Sequence, residues 1–303
     1  MIAKIQAWLV GLWLLWVSAC AALAAALDAA WAWWLLALPT LVFVAVMSLE
    51  FALMHALNRR DPAARAGLAQ VLHAWAQELW AATVVFGWRQ PFRAEQQPDW
   101  LPEAPTGRVG VVLLHGYLCN RALWQPWLPR LRAQGHAYVA LSLEPPLASI
   151  DRYAAQVEAA VRRVEQATGR APVLVCHSMG GLVARAWLRA TPGAEQRVAR
   201  VITLGTPHAG TWLARWASTP NGRQMRVEGA WLQALAQAEP PARAARFDCW
   251  YSNCDNIVFP ASTAVLPGAQ AHACHGLPHV QMVLDEGVIT ACIAQIAEAD
   301  RAS

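Results

Sequence analysis

The apolar positions of this chain fall into two patterns that meet near residue 100. At the front the pattern is unbroken: residues 5–27, IQAWLVGLWLLWVSACAALAAAL, carry no charge, and after Asp28 residues 29–49 carry none. Each run is as long as the roughly 20 residues needed to cross a bilayer core of about 30 Å. Two such runs separated by little more than Asp28 predict a transmembrane helical hairpin over residues 1–57. Trp31, Trp33 and Trp34 stand beside the gap, as aromatics do at a membrane interface. A buried pair of core helices is the plainer alternative.

A cleaved signal peptide competes for the first run, because Lys4 gives it a positive start and VSAC, ending at Cys20, has the form of a lipoprotein cleavage box. Cleavage there would leave a second spanning run directly behind the new terminus, which favours the hairpin. Lys4 precedes the runs, and Arg59, Arg60 and Arg65 follow them. By the positive-inside rule both ends of the hairpin, and the domain behind it, face the cytoplasm from the inner membrane, with the periplasmic side as the alternative.

Residues 58–103 read as a helical connector, in which GLAQVLHAWAQELWAATVVF repeats its apolar positions at helical spacing. From 104 to 303 the pattern changes to short apolar runs alternating with amphipathic stretches. VGVVLLHG, AYVALSLEP and PVLVCHS are separated by NRALWQPWLPRLRAQG and SIDRYAAQVEAAVRRVEQATG, the rhythm of a parallel sheet covered by helices, an α/β class of fold. Asn120 with Gly135, and Ser149 or Asp151 with Gly169, mark the two helix boundaries. RVITLG and ARFDCWYS extend the sheet, and residues 211–244 read as a helical insertion above it, with a lid-like role. Trp212, Trp216, Trp231 and Leu232 are candidates for an apolar lid or acyl-chain wall there, or equally for packing on the sheet.

Composition changes this picture little. The 303 residues are 56% hydrophobic with a formal charge of +4, and every basic residue but Lys4 is arginine. No arginine-rich block with interleaved aromatics is present, so nucleic-acid binding is not supported. The seven cysteines, Cys20, Cys119, Cys176, Cys249, Cys254, Cys274 and Cys292, lack the even, regular spacing of a disulfide framework. In the cytoplasm they would stay reduced; on the periplasmic side Cys249 or Cys254 could bridge Cys274.

The candidate chemistry centres on LVCHSMGGLV. Ser178 follows a buried strand and precedes a helical stretch, the strand-turn-helix setting of a nucleophile elbow, although Cys176 stands where Gly-x-Ser-x-Gly has its first glycine. A serine that merely caps the helix is the alternative. A hydroxyl nucleophile needs a base, a group that orients the base, and donors for the oxyanion. The backbone amides of Tyr117, in HGY, and of Met179 suit the last role, while the side chain of His115 is read as packing under its loop.

HGYLCN, CHSMGG and LGTPHAGT together resemble bacterial triacylglycerol lipases and related esterases of the α/β-hydrolase fold, over roughly residues 104–300. Thr206, Pro207, His208 and Gly210 match that family's TPHxG segment. The resemblance implies an α/β-hydrolase fold, Ser178 as nucleophile, and a lipid or acyl-ester substrate. In this fold the order is Ser, then acid, then His. Asp255 in YSNCDNIVFP resembles the family's acid, ahead of Asp248 and Asp285. His279, before VQMVL, resembles its base, ahead of His275 and His272. A zinc site of Cys249, Cys254, Cys274, His275 and His279 is the rival use of these residues, but it lacks tight paired spacings, and no cofactor is implied. Other expectations are a thioesterase or acyltransferase with the same triad, or a silent membrane scaffold; no protein partner is predictable.

Overall fold

A computed structural model describes residues 1–28, 31–63 and 65–302. Two long helices open the chain, α1 (Ile2–Leu27) and α2 (Ala32–Leu57), both long and apolar enough to cross a membrane. They lie side by side, the indole of Trp16 donating to the Leu35 carbonyl at 3.0 Å. Residues 29 and 30 of the expected turn between them lie outside the described residues. Trp8, Leu9, Leu15, Trp34 and Leu41 along their lengths are exposed; Cys20 and Ala24 are buried near the turn, and at the far end of the pair Ile2 and Gln6 on one helix and Met47, Phe51 and Met54 on the other are buried. This end is the root of the hairpin.

The connector is helical. α3 (Leu68–Val84) runs through a π-turn at Val85–Arg89 into the short α4 (Gln90–Phe92). Behind it stand six strands, β1 (Val111–Leu114), β2 (Tyr138–Ala140), β3 (Val173–His177), β4 (Arg200–Leu204), β5 (Phe247–Ser252) and β6 (Gln270–Cys274). All are parallel, in the order β2-β1-β3-β4-β5-β6. Continuous apolar runs make the inner strands because both faces are covered. Val112, Leu114, Leu174 and Val201 face α6 (Ala154–Thr168) and α7 (Met179–Ala190), while Val111, Leu113, Val175 and Ile202 face the opposite helical layer. Trp100 exchanges two backbone hydrogen bonds with Tyr138 and covers the outer edge of β2.

Three local departures from the sequence pattern have simple causes. The expected helix after β1 is a 3-10 turn at Arg121–Trp124, capped by Asn120, followed by α5 (Leu128–Ala133); Pro126 and Pro129 divide it. β6 is a strand where only a loop was expected, since QAHAC pairs with β5 as an edge strand and carries no apolar run. The segment after His279 is two helices, α10 (His279–Leu284) and α11 (Glu286–Ala302), divided at Asp285. The insertion over the sheet contains α8 (Pro220–Gln224) and α9 (Ala230–Gln237).

A third apolar cluster joins the hairpin root to the rest. Met47, Phe51 and Met54 of α2 and Val71, Ala74 and Ala82 around α3 pack with Cys254 and Phe259, with Trp212 and Leu213 against them. In the helical layer on one face of the sheet, Trp127 is fully buried, meets Trp124 edge-on at 5.4 Å, and donates its indole N–H to the Val283 carbonyl in α10 at 2.8 Å. Replacing Trp127 with alanine is expected to destabilise the fold by about 3–5 kcal/mol, read from denaturant unfolding of the detergent-solubilised protein.

Candidate active site

The elbow is built by the shortest of connections. β3 ends at His177, α7 begins at Met179, and Ser178 alone makes the turn with φ 55 and ψ −127. A non-glycine residue holds such a conformation only when its surroundings over-determine it, and here they do. The Ser178 N–H donates to the Leu204 carbonyl at 2.8 Å; the Ser178 carbonyl accepts from the Thr206 hydroxyl at 2.8 Å and the Gly181 N–H at 3.1 Å. Gly180 is required by close approach, because a Cβ there would stand 2.3 Å from the Leu114 carbonyl oxygen. Cys176, at the unusual first position, is fully buried among Leu114, Met179 and Leu182, and burial pushes its thiol well up from the usual range.

The segment after β4 braces this turn. Besides Thr206, His208 is held by Thr203 at 3.1 Å, and its carbonyl accepts from the Arg185 guanidinium at 2.8 Å. Arg185 is itself paired twice with Glu239 of the insertion, so one side chain ties α7, the TPH segment and the insertion together.

His115 is a structural residue, as its sequence context suggests. The Leu143 N–H donates to its Nε2 at 2.9 Å, leaving Nδ1 to donate to the Gly116 carbonyl at 2.8 Å. Burial pulls its pKa down to about 4, so the ring stays neutral and the loop at 115–117 is fixed. Neither the Tyr117 N–H nor the Met179 N–H donates to an acceptor among the described residues. The Tyr117 hydroxyl meets the Thr219 hydroxyl at 3.1 Å, and Asn221 approaches the Met179 sulfur at 3.5 Å, so the insertion contacts the side chains of both residues.

Asp255 and His279 come together. Asp255 Oδ2 lies 2.9 Å from His279 Nδ1, while Oδ1 accepts the N–H groups of Ile257 at 2.9 Å and Val258 at 2.7 Å. Gly205 makes room for this pair: its φ is +55, and a Cβ would stand 2.8 Å from Asp255 Oδ2 and 3.2 Å from His279 Nδ1. Leu204, next to it, is the residue whose carbonyl holds the Ser178 N–H, so the pair sits beside the elbow across the end of β4. No hydrogen bond among the described residues joins Ser178 Oγ to His279; such bonds commonly tighten only when substrate is bound. Ser178, Asp255 and His279 are all at most 5% exposed, so the site is covered.

The other candidates lie elsewhere. His272, on β6, pairs with Asp248 at 2.8 Å and stacks on Trp250, while Asp248 also binds Arg200 at 2.9 Å. Asp285 caps α11 by accepting the Val288 N–H, and His275 is exposed. Among the described residues no group of three or more His, Cys, Asp or Glu is arranged to hold a metal, and all seven cysteines are buried free thiols. Of the proposed lid residues, Leu232 is buried in the core and the Trp231 indole is bonded to Asp151. Trp212 and Trp216 pack edge-on at 4.6 Å beside Phe259, with Trp216 63% exposed.

Sequence reasoning missed three neighbours of His279. The His177 ring lies 4.6 Å from the His279 ring, and its Nε2 contacts the His279 carbonyl at 3.2 Å. Burial holds the His177 pKa well below the ordinary value, which keeps the ring uncharged. Asn256 accepts the His279 N–H through Oδ1 at 3.3 Å. Glu78, from the connector, accepts the Val280 N–H at 2.8 Å.

A mostly parallel sheet with a strained serine elbow and a buried acid–histidine pair at its carboxyl end defines a hydrolase of the α/β class. A sequence model described as the alpha/beta hydrolase family matches residues 111–294, and the chain belongs to that family. Its fold is similar to that of the mature lipase BlEst2 of Bacillus licheniformis, with a TM-score of 0.57 and 19% identity over 65% of this chain and 96% of that one. Lipase B of Aspergillus fumigatus gives 0.52 and 19% over 60% and 52%, and the metagenomic carboxyl esterase MGS0156 gives 0.51 and 18% over 65% and 77%. At these identities the likeness is one of fold. A search of the curated proteins finds no match.

The electrostatics of His279 give a pH expectation. Burial alone would lower its pKa, but the charge of Asp255 and its hydrogen bond, with further help from Glu78, outweigh that and hold it above the ordinary imidazole value. A reaction that needs the neutral ring loses rate as pH falls through that raised value. The acid limb of kcat/KM against pH is therefore expected above the ordinary imidazole pKa.

Proposed function

We propose that the chain is a membrane-anchored serine hydrolase that cleaves carboxylic esters of lipid-like acyl groups through an acyl-enzyme on Ser178. The observation that carries this reading is the buried Asp255–His279 pair set beside a serine elbow. Ser178 Oγ attacks the acyl carbonyl while His279 Nε2 takes its proton, and Asp255 fixes the tautomer at Nδ1 and stabilises the imidazolium. The free amides of Tyr117 and Met179 donate to the oxyanion. His279 then returns the proton to the departing alcohol. In the second half it takes a proton from water, the resulting hydroxide attacks the acyl carbon, and the carboxylic acid leaves as Ser178 regains its hydrogen.

Membrane anchoring is supported by two apolar helices whose flanks are exposed, since such faces need a lipid partner. The lipase and esterase neighbours in fold agree with an ester substrate. The exposed Trp216, beside Trp212 and Phe259, offers an apolar surface where an acyl chain could lie.

Ser178→Ala is expected to lower hydrolysis of acyl esters by about four orders of magnitude or more and to abolish labelling by a fluorophosphonate probe. Unchanged hydrolysis would remove Ser178 from the mechanism, and a series of acyl-chain lengths assayed on the native protein defines the preferred group. The flanking arginines favour a cytoplasmic domain, so protease added outside intact spheroplasts should leave it whole and cut it only after lysis; cleavage before lysis would put it on the periplasmic side.

A further inference from the structure

The hairpin root and the connector touch the site in three places. Glu78 of α3 is 1% exposed, and its carboxylate sits at the start of α10, accepting from the Val280 N–H at 2.8 and 3.1 Å and from the Gln281 N–H at 3.1 Å. α10 begins with His279, so this carboxylate holds the two residues that follow the base. Glu50, in the last turns of α2, accepts from Asn256 Nδ2 at 2.9 Å, and Asn256 accepts the His279 N–H through its other side-chain atom. At the oxyanion loop, Gln6 of α1 donates to the Leu118 carbonyl at 3.1 Å and to Gln90 at 2.9 Å, and the Gln90 carbonyl accepts from Asn120.

A carboxylate buried this deeply is costly unless it is paired or hydrogen-bonded, and the bonds here come from the N–H groups of Val280 and Gln281. Burial pushes Glu78 up to about 7, against the pull of the Val280 amide. The charges of His279 and Asp255 act on it, so it belongs to one electrostatic group with the base. Apolar packing alone would have served an anchor.

We infer that Glu78 and Glu50 are positioning residues of the active site: from the connector and the hairpin root they hold the helix start and the acid loop that carry His279 and Asp255. Their charges act on the same base. The N-terminal region is thus a structural part of the catalytic centre as well as an anchor. This rests on the serine-hydrolase reading above. The ionisable groups that bear on His279 are Asp255 from the loop after β5, Glu78 from α3, Glu50 from α2, and the neutral His177 from β3.

The test uses the full chain in detergent micelles or vesicles, with Glu78→Gln and Glu50→Gln compared with the native protein. Glu78→Gln replaces one acceptor oxygen by an amide that faces backbone N–H groups, and it removes the negative charge that Glu78 gains as pH rises past about 7. Its kcat is expected to fall by about ten- to a hundredfold, the scale of a small misplacement of a reacting group, and the acid limb of kcat/KM to move to lower pH. Glu50→Gln keeps an acceptor for Asn256 and removes only the charge, so its limb should move the same way with a smaller loss of rate. It also carries the test alone if Glu78→Gln does not fold. Limbs that stay in place would overturn the inference, whether or not the rate or the melting temperature falls, since loss of packing alone does not alter the basicity of His279. Ser178→Ala, assayed beside them, separates the two failures. If it retains hydrolysis, the serine reading itself fails; if it is inactive while both limbs are unmoved, only the positioning role fails.

Discussion

The turn at Ser178 is the constraint around which the rest of the site is arranged. A strand becomes a helix within one residue, at a backbone conformation that costs on the order of 1–3 kcal/mol, and every neighbour contributes to holding it. β3 lies between β1 and β4 in the sheet, so the ends of those two strands flank the elbow. β1 delivers the His115–Tyr117 loop and the carbonyl that excludes any side chain at position 180. β4 delivers Leu204, Gly205 and Thr206, which bind the elbow backbone and leave space for the Asp255–His279 pair. The strand order therefore decides which loops can serve which role, before any side-chain chemistry is considered.

Burial sets the second condition. An imidazole enclosed as fully as His279 would lose basicity through desolvation, and a base that cannot accept a proton is useless. Carboxylates around the ring offset that penalty, Asp255 by direct contact and Glu78 from behind the helix start. His177, the closest ring, answers to the same burial without such a partner and stays neutral, so it packs beside His279 without competing for its proton. Two histidines 4.6 Å apart are thus shifted in opposite directions, because only one of them has a carboxylate at hydrogen-bonding distance.

Much of this was legible in the residues. VVLL, VLVCH and RVITL are continuous apolar runs, and such runs form the inner strands of a parallel sheet, while the elbow and the LGTPHAG segment carry their own signature. β6 was not legible, because QAHAC is an edge strand of alanine and polar residues whose identity comes from pairing with β5. The three histidines could be ranked by resemblance, with His279 first, but the use of His272 was not legible: it hydrogen-bonds Asp248, which also pairs with Arg200, and its local sequence shows neither partner. Glu78 was hidden for a different reason. A single glutamate in a helical pattern reads as a solvated position, and its partners, Val280 and Gln281, lie about two hundred residues further along the chain.

The position of the hairpin root bears on how substrate reaches the site. From Gln6 to Leu27 the first helix rises about 30 Å at 1.5 Å per residue, which matches a hydrocarbon core of about 30 Å. On the membrane-anchored reading, the lipid boundary then falls near Gln6, whose side chain is bonded to the oxyanion loop at Leu118. The returning helix leaves the bilayer near Glu50, whose partner Asn256 adjoins the acid. On that reading both edges of the candidate site are held near the membrane surface, with Leu118, 43% exposed, at one of them. A tether of flexible chain would let the domain turn its covered site in any direction. On the same reading, two roots bonded to the site at Leu118 and at Asn256 fix its distance from the lipid, so an acyl ester in the leaflet facing the domain would have the shortest path to Ser178.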